Sequence, residues 1–377
     1  MAEVTHATTP PTSLSSAIQS LRHTVPWRFA TVALLIGILW AAASFLSRTA
    51  HDQRVTRANA AATRATAAVL TGQRDEAVAL FREAVGLEPR QSGYRLSLAK
   101  ALVAVGRPSE AEPYVQEVLR QQPVNGEANL VLARIYAQAG SNDEAERTYY
   151  GAIYGRWPAA AQSMRQRARL ELVEYYRRLG ERSRLRAALL ELSSAFPGDR
   201  ELQLQAGRDL LAEGFTEDAA RQLRVVTERF SDAGDALALL ARAEFAGRNY
   251  VDAYAAAGRV LAVDRRNEEM AALRALTARI LALDPDQRRL SSLERLSRLR
   301  LLLGEVRGQL ASCKAGADIA SLRPPIEQWL ARASTDVELG RTLLEGAARR
   351  LPATCRPSPE GSAVGRILAD LGGESTR

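Results

Sequence analysis

The chain has 377 residues, of which 46% are hydrophobic and 25% are charged. This ordinary globular balance excludes a chain that is disordered throughout and a membrane protein with many spans. Alanine and leucine dominate, and only 6% of the residues are aromatic, which favours helices because alanine and straight-chain residues lose little freedom in a helix.

The formal net charge is +8, and all but two of the 51 basic residues are arginines, the lysines being Lys100 and Lys314. This bias has two interpretations: the composition of a GC-rich bacterial genome, or a preference for carboxylate and phosphate partners, which arginine binds with two parallel hydrogen bonds. A nucleic-acid partner is not expected, because the arginines alternate with acidic residues and stacking aromatics are few.

Histidine and cysteine are too scarce for most active sites. The histidines, His6, His23 and His51, all precede the predicted folded part, and the cysteines are Cys313 and Cys355. We therefore expect no metal site, no cofactor, no small-molecule substrate and no enzymatic activity. A hydrolase that uses two carboxylates in a deep pocket is the remaining enzymatic alternative.

The first predicted element is a membrane-spanning helix. Residues 1–26 are rich in Ser, Thr, Ala and Pro and are expected to be disordered. Residues 27–47 form the predicted span, which contains 19 residues without a charge from Phe29 to Ser47, enough to cross a bilayer core. A cleaved signal peptide is the alternative, since alanines 41–43 offer small residues for cleavage. Residues 48–57 are predicted to be a juxtamembrane linker.

A glycine period of 34 residues follows the span. Gly72, Gly106 and Gly140 are 34 residues apart, Gly180 follows after 40, and Gly214 lies 34 further on. The next equivalent position is Arg248, with Gly247 one residue early. The flanking apolar residues predict a helix that ends at each glycine and a second helix that begins with acidic residues. The period therefore predicts a series of helical hairpins.

These positions closely resemble the tetratricopeptide repeat family. The third unit carries the pattern most completely, with Leu132, Ala133, Tyr136, Gly140, Ala145, Tyr149 and Ala152. The resemblance implies six units over residues 58–267, namely 58–91, 92–125, 126–159, 166–199, 200–233 and 234–267, with an insertion at 160–165. The implied fold is all-α, a right-handed superhelical solenoid with one N-terminal transmembrane helix and a helical C-terminal cap.

The resemblance also implies a concave groove that binds a protein or peptide partner. The residues six positions before each turn face this groove in the family, and four of the six are basic: Thr66, Lys100, Arg134, Glu174, Arg208 and Arg242. Arg167, Arg177 and Arg178 are also expected at groove positions. The hypothesis is an arginine-lined channel for an acidic partner. The alternative is that arginine is simply the default polar residue of this chain.

The segment after residue 267 loses the period. Residues 268–311 are predicted to be capping helices, with a stripe of Leu296, Leu299, Leu303, Val306 and Leu310 at helical spacing. Residues 312–377 are predicted to form a helical segment in which Cys313 and Cys355 are a candidate disulfide, followed by a tail after Pro357 that is mobile apart from a short helical turn near Val364–Leu371. A disulfide would imply an oxidising compartment, whereas two unrelated thiols would not.

The combined prediction is a non-enzymatic scaffold of the bacterial cell envelope, tethered to the inner (cytoplasmic) membrane by one helix. The basic residues after the span mildly favour a cytoplasmic body, but the cysteine pair favours an extracytoplasmic, periplasmic one. The alternative function is an accessory subunit of an envelope polysaccharide synthesis or export complex, or of a secretion complex.

Overall fold

The structure, a computed structural model, describes residues 27–157, 162–230, 234–313, 317–332 and 335–373. These residues are predominantly helical and contain no β-strand apart from one isolated bridge between Asn125 and Arg156. The chain divides into two compact units, Met1–Ala168 and Arg169–Arg377, called the N-terminal unit and the C-terminal unit below. The predicted disordered tail, residues 1–26, lies outside the described residues.

The first seven helices begin in the N-terminal unit, and the seventh crosses the boundary at Ala168. They are α1 (Trp27–Leu70), α2 (Arg74–Leu87), α3 (Ser92–Ala104), α4 (Pro108–Gln121), α5 (Gly126–Ala139), α6 (Asn142–Ile153) and α7 (Gln162–Leu179).

The remaining helices belong to the C-terminal unit. They are α8 (Arg182–Ala195), α9 (Arg200–Ala212), α10 (Thr216–Arg229), α11 (Gly234–Ala246), α12 (Tyr250–Val263), α13 (Glu268–Leu283), α14 (Ser292–Ser312), α15 (Ala317–Ala320), α16 (Arg323–Ala331), α17 (Val337–Arg350) and α18 (Ala363–Leu371).

Helix α1 joins the apolar span to the first repeat without a break. It has 44 residues, and its apolar N-terminal part is exposed, with Leu34, Ile36 and Leu39 each more than half accessible. Within the described residues, α1 is the one helix long and apolar enough to cross a membrane, a test that a signal sequence would also pass. Residues 48–57, expected as a linker, are part of this same helix. The first repeat is therefore a direct continuation of the apolar segment.

The turn between the paired helices of each repeat uses a left-handed residue. Gly72, Gly106, Gly140, Gly180 and Gly214 have φ angles between 69° and 78°, as the glycine period predicts. In the sixth repeat the left-handed residue is Arg248, with φ 65°, and not the neighbouring Gly247. The 34-residue register therefore determines which residue adopts this conformation even where the side chain disfavours it.

Replacement of Gly140 by alanine should destabilise the protein by about 1–2 kcal/mol, because a Cβ atom disfavours the left-handed conformation. A Cβ at this position would meet no other atom within 4 Å, so the backbone angle alone determines the cost. Gly86→Ala is the matched control, since Gly86 is equally open but lies inside α2. Urea unfolding followed by circular dichroism should separate the two variants, and equal changes in both would contradict the explanation.

The hairpins of the N-terminal unit share one apolar core. Successive helices from α1 to α6 pack against one another, and each buries one face. The core contains the residues that the repeat pattern places between helices, including Phe81, Leu98, Leu102, Val115 and Leu132. Because no hairpin could bury this surface alone, the repeats stabilise one another.

The third repeat ends differently from the others. Helix α6 stops at Ile153, and Trp157 then covers the beginning of α5, with its indole Nε1 donating to the carbonyl oxygen of Ala152 at 2.8 Å. A side chain at Gly126 would clash with this indole ring. The insertion predicted at 160–165 lies partly within α7, which begins at Gln162, while residues 160–161 lie outside the described residues.

The C-terminal unit contains the fourth to sixth repeats and then a helical cap. The predicted stripe on α14 is buried as expected, and it packs with residues of α16, α17 and α18, including Ile326, Trp329, Leu344 and Leu368. The long helix begins at Ser292 because Ser291 and Glu294 form a reciprocal capping box there.

The tail after Pro357 differs from the prediction. Residues 363–371 form α18, most of whose side chains are buried, rather than a short turn in a mobile tail. The reason is Arg366, which is 3% exposed and anchors the helix to the sixth repeat. Its Nε donates to the Tyr250 hydroxyl at 2.8 Å, and its Nη2 donates to the carbonyl oxygen of Phe245 at 3.1 Å. Residues 374–377 lie outside the described residues.

The cysteines are joined across the cap. Cys313, directly after α14, and Cys355, after α17, form a disulfide with their Cα atoms 5.6 Å apart. The bridge therefore ties the loop that leads into α18 to the end of the longest cap helix.

Candidate functional site

A cavity of about 490 Å³ opens on the N-terminal unit between α1, α2, α3 and α5. Twelve residues line it: Thr66, Val69, Arg74, Ala77, Phe81, Ser97, Lys100, Ala101, Val103, Ala104, Val131 and Arg134. Its size is within the range of pockets that hold small ligands or a few side chains of a partner.

Three of the predicted groove residues meet in this cavity. Thr66, Lys100 and Arg134 occupy the same position in three successive repeats, six residues before the turn, on α1, α3 and α5. Because these helices stack in register, residues separated by one 34-residue period lie side by side. The period therefore explains why a contiguous surface is built from residues far apart in the sequence.

The charge of the cavity is positive. Arg74, Lys100 and Arg134 contribute three cations, and no acidic side chain is among the lining residues. Lys100 donates from Nζ to Glu127 Oε1 at 2.7 Å, and its side chain is 50% exposed. Such exposed pairs contribute little free energy, so a partner carboxylate can replace Glu127 at small cost.

The floor of the cavity is apolar. Ala77, Phe81, Ala101 and Val131 are buried, and half-exposed Val69 extends this surface to the cavity wall. Cations above an apolar floor can bind a segment that carries both acidic and apolar side chains.

Two groove arginines of the C-terminal unit, Arg177 and Arg242, form ion pairs with acidic residues. Arg242 forms two hydrogen bonds with Glu269, each 2.6 Å long. Arg177 donates from Nε to Glu213 Oε1 at 2.7 Å and also contacts Glu174 and Asp209. The contacts of Arg177 with Glu213 and Asp209 join α7 to α9, and that of Arg242 with Glu269 joins α11 to α13, so these cations link alternate helices of the chain.

The electrostatics of this network reflect its partial burial. Burial lowers the pKa of Arg177, but the hydrogen bond to Glu213 and the charges of Glu174 and Asp209 outweigh it and leave that pKa raised. Burial raises the pKa of Asp209 in spite of the nearby Arg177 charge. The acids are therefore part of a local ion network.

The other predicted groove residues do not join the cavity. Arg208 donates to Gln205 Oε1 at 2.6 Å within α9. Arg167, Glu174 and Arg178 are exposed on α7, and none of them lines the cavity. Across the described residues there is no group of three or more His, Cys, Asp and Glu side chains placed to hold a metal ion.

Sequence reasoning missed Arg74, the first residue of α2, as a groove residue. Its side chain reaches the cavity from the second helix of the first repeat, and its Nη1 lies 3.5 Å from the carbonyl oxygen of Ala104. The groove positions of the repeat pattern lie on the first helix of each repeat, so Arg74 on the second helix is not among them. Its place directly after the turn at Gly72 is the feature of the sequence that could have identified it as a groove residue.

Comparison with protein families matches two models, both described as tetratricopeptide repeat. One covers residues 96–161 and 204–269, and the other covers residues 68–123. These ranges include all residues of the second, third and sixth predicted units and most residues of the first and fifth. No curated protein sequence matches the chain significantly.

Solved structures that resemble the chain include PilF of Pseudomonas aeruginosa, with 13% identity over 59% of this chain and 99% of that chain and a TM-score of 0.38. PilW, described as a widely conserved type IV pilus biogenesis factor, has 17% identity over 57% of this chain and 96% of that chain, with a TM-score of 0.36. MamA has 17% identity over 46% of this chain and 91% of that chain, and its TM-score is also 0.36. At this similarity, nothing about partners transfers to the present chain.

Proposed function

The chain is a tetratricopeptide-repeat protein, and from this we propose that it is a membrane-anchored scaffold that holds an acidic segment of a protein partner in the cavity of its N-terminal unit. Tetratricopeptide repeats bind protein or peptide partners, which sets the general class of activity. The observation that carries the finer proposal is the cavity lined by Lys100 and Arg134 without an acidic residue.

The chemistry of the cavity defines the partner. Carboxylates on the bound segment would pair with Arg74, Lys100 and Arg134, while one or two apolar side chains would contact Phe81 and Val131. Hydrogen bonds between charged groups are stronger than neutral ones and would fix the register of the segment. The partner segment is therefore both acidic and partly apolar.

The apolar part of α1 would tether the scaffold to a membrane. The charge-free stretch is long enough to span, and its large apolar side chains from Val32 to Leu46 are exposed, as they would be against lipid. The disulfide supports a body in an oxidising compartment, hence outside the cytoplasm. Together these features support the proposal of a scaffold at the cell envelope.

Removing two cations from the cavity should weaken binding of an acidic amphipathic peptide. We expect Lys100→Gln combined with Arg134→Gln to raise the dissociation constant at least about tenfold, since each charged hydrogen bond contributes roughly 1.5–3 kcal/mol. Fluorescence anisotropy with a labelled peptide of alternating Glu and Leu measures the change, which should shrink at high salt.

Arg208→Gln combined with Arg242→Gln is the matched control, because these residues occupy the same repeat positions in the C-terminal unit. Neither Arg208 nor Arg242 lines the cavity, so the control should leave peptide affinity unchanged. An equal loss in both double variants would show that binding follows the overall charge of the chain, and the proposal for this cavity would be wrong.

A further inference from the structure

One edge of the N-terminal unit is formed by the loops that join each repeat to the next. These loops are residues 88–91, 122–125 and 154–157, and we call this surface the loop edge. Direct contacts connect the loops in series. The Gln122 side chain donates to Ser92 Oγ at 3.4 Å, and the backbone N–H of Arg156 donates to the carbonyl oxygen of Val124 at 2.6 Å. The loop edge is therefore a continuous surface.

The loop edge lies beside the end of the apolar span. His51 Nδ1 is 3.7 Å from Oε1 of Glu88, the first residue of the loop edge. His51 is four residues after Ser47, the last residue of the charge-free stretch, and a helix rises about 6 Å over that distance. Headgroups occupy roughly 5–8 Å on each side of the bilayer core. If α1 spans a membrane, the loop edge therefore begins at headgroup level.

The exposed side chains of the loop edge are of types that can lie in the headgroup layer of a membrane. Val124 is 53% exposed and Tyr154 is 69% exposed, at neighbouring loops of this edge. Tyrosine is enriched where membrane and water meet, because its ring is apolar and its hydroxyl is polar.

Arginines flank these two residues. Arg90 and Arg156 are exposed within the loop edge. Arg120, two residues before the second loop, keeps a 77% exposed side chain while contacting Glu117. Glu88 is the acidic residue of the three loops, and it faces His51. The surface thus combines apolar side chains with an excess of cations, as expected for contact with anionic headgroups.

We propose that the loop edge rests on the surface of the bilayer that α1 spans, with Val124 and Tyr154 in the interfacial layer and the arginines against anionic lipid phosphates. This inference rests on the proposed membrane anchor. It adds a second attachment, so that the N-terminal unit is held against the membrane and does not swing freely on α1. Thr66 of the cavity follows Ser47 by 19 residues, so the helix holds the cavity up to about 28 Å from the bilayer core.

The test uses the full chain reconstituted into phosphatidylcholine vesicles, with and without phosphatidylglycerol, that contain headgroup-quencher lipids. A fluorophore is attached to one introduced cysteine at a time, by Val124→Cys, Ser47→Cys or Gln73→Cys, under non-reducing conditions that keep the native cysteines joined. Gln73 is the control because it is exposed at the turn after α1, at the opposite end of the repeat helices.

The inference predicts that the label at position 124 is quenched at least about twofold more than the label at position 73, and more strongly in anionic vesicles. Combining Arg90→Gln, Arg120→Gln and Arg156→Gln should remove the dependence on anionic lipid. Quenching at position 47 but not at position 124 would overturn the loop-edge inference and leave the anchor intact. No quenching at position 47 would show that the anchor proposal fails, and this inference with it.

Discussion

Replacing Arg366 with alanine is expected to destabilise the C-terminal unit by about 3–5 kcal/mol, the range for removal of one partner from a buried ionic network. Arg366 is 3% exposed and contacts α11, α12 and α18 simultaneously. Its guanidinium lies 3.4 Å from Asp370 and stacks on the Phe245 ring at 4.8 Å.

The size of the effect follows from what the alanine would leave behind. Asp370 would lose one of its cations, and the carbonyl oxygens of Phe245 and Ala246 would lose a donor in a buried site. Tyr250 also depends on this cluster, since its hydroxyl bonds both Arg366 and Asp370. Burial raises the pKa of Tyr250, so its hydroxyl keeps its proton and can donate to Asp370 at neutral pH.

Arg349→Ala is the control for this variant, because Arg349 lies in the same cap but its side chain is 64% exposed beside Glu345. We expect that control to change the free energy of unfolding by less than about 0.5 kcal/mol. Urea denaturation measures both, and hydrogen exchange should show loss of protection in α18 first. Similar stabilities for the two variants would mean that α18 is not held by Arg366.

The second large effect is expected from the disulfide. Reduction should lower the stability of the C-terminal unit by about 4 kcal/mol, because opening a loop with a sequence separation of 42 residues restores conformational freedom to the unfolded chain. The loss should appear as a lower urea midpoint in the presence of a reductant.

The double variant Cys313→Ser with Cys355→Ser should match the reduced protein and no longer respond to reductant. Mass spectrometry of the native protein under non-reducing conditions should find no thiol available for alkylation. Two alkylated cysteines would contradict the pairing, and the argument for a body outside the cytoplasm would then lose its main support.

The hairpins were predictable from the sequence because each turn needs a positive φ angle at one position, and glycine is the residue that adopts it most readily. The glycines at 72, 106, 140, 180 and 214 all adopt the left-handed conformation that the period predicts. Arg248 shows the limit of residue-type reasoning, since its φ of 65° follows the register of the sixth repeat and not the preference of the side chain.

The candidate site was predictable only in part. Periodicity identified Thr66, Lys100 and Arg134 because equivalent positions stack, and the structure does bring them to one cavity. It could not show that Arg242 is neutralised by Glu269, because that pairing depends on packing between helices. The docking of α18 was missed for the same reason, since its partners Phe245 and Tyr250 lie more than a hundred residues earlier.

Site-specific photocrosslinking in cells tests the central claim most directly. A photoreactive residue in place of Ser97, which lines the cavity, should form adducts with an acidic protein segment, and Lys100→Gln with Arg134→Gln should abolish them. The same residue in place of exposed Arg178, outside the cavity, should form none of these adducts. Adducts at Ser97 that persist in the double variant, or that form equally at position 178, would contradict the claim that this cavity holds an acidic partner.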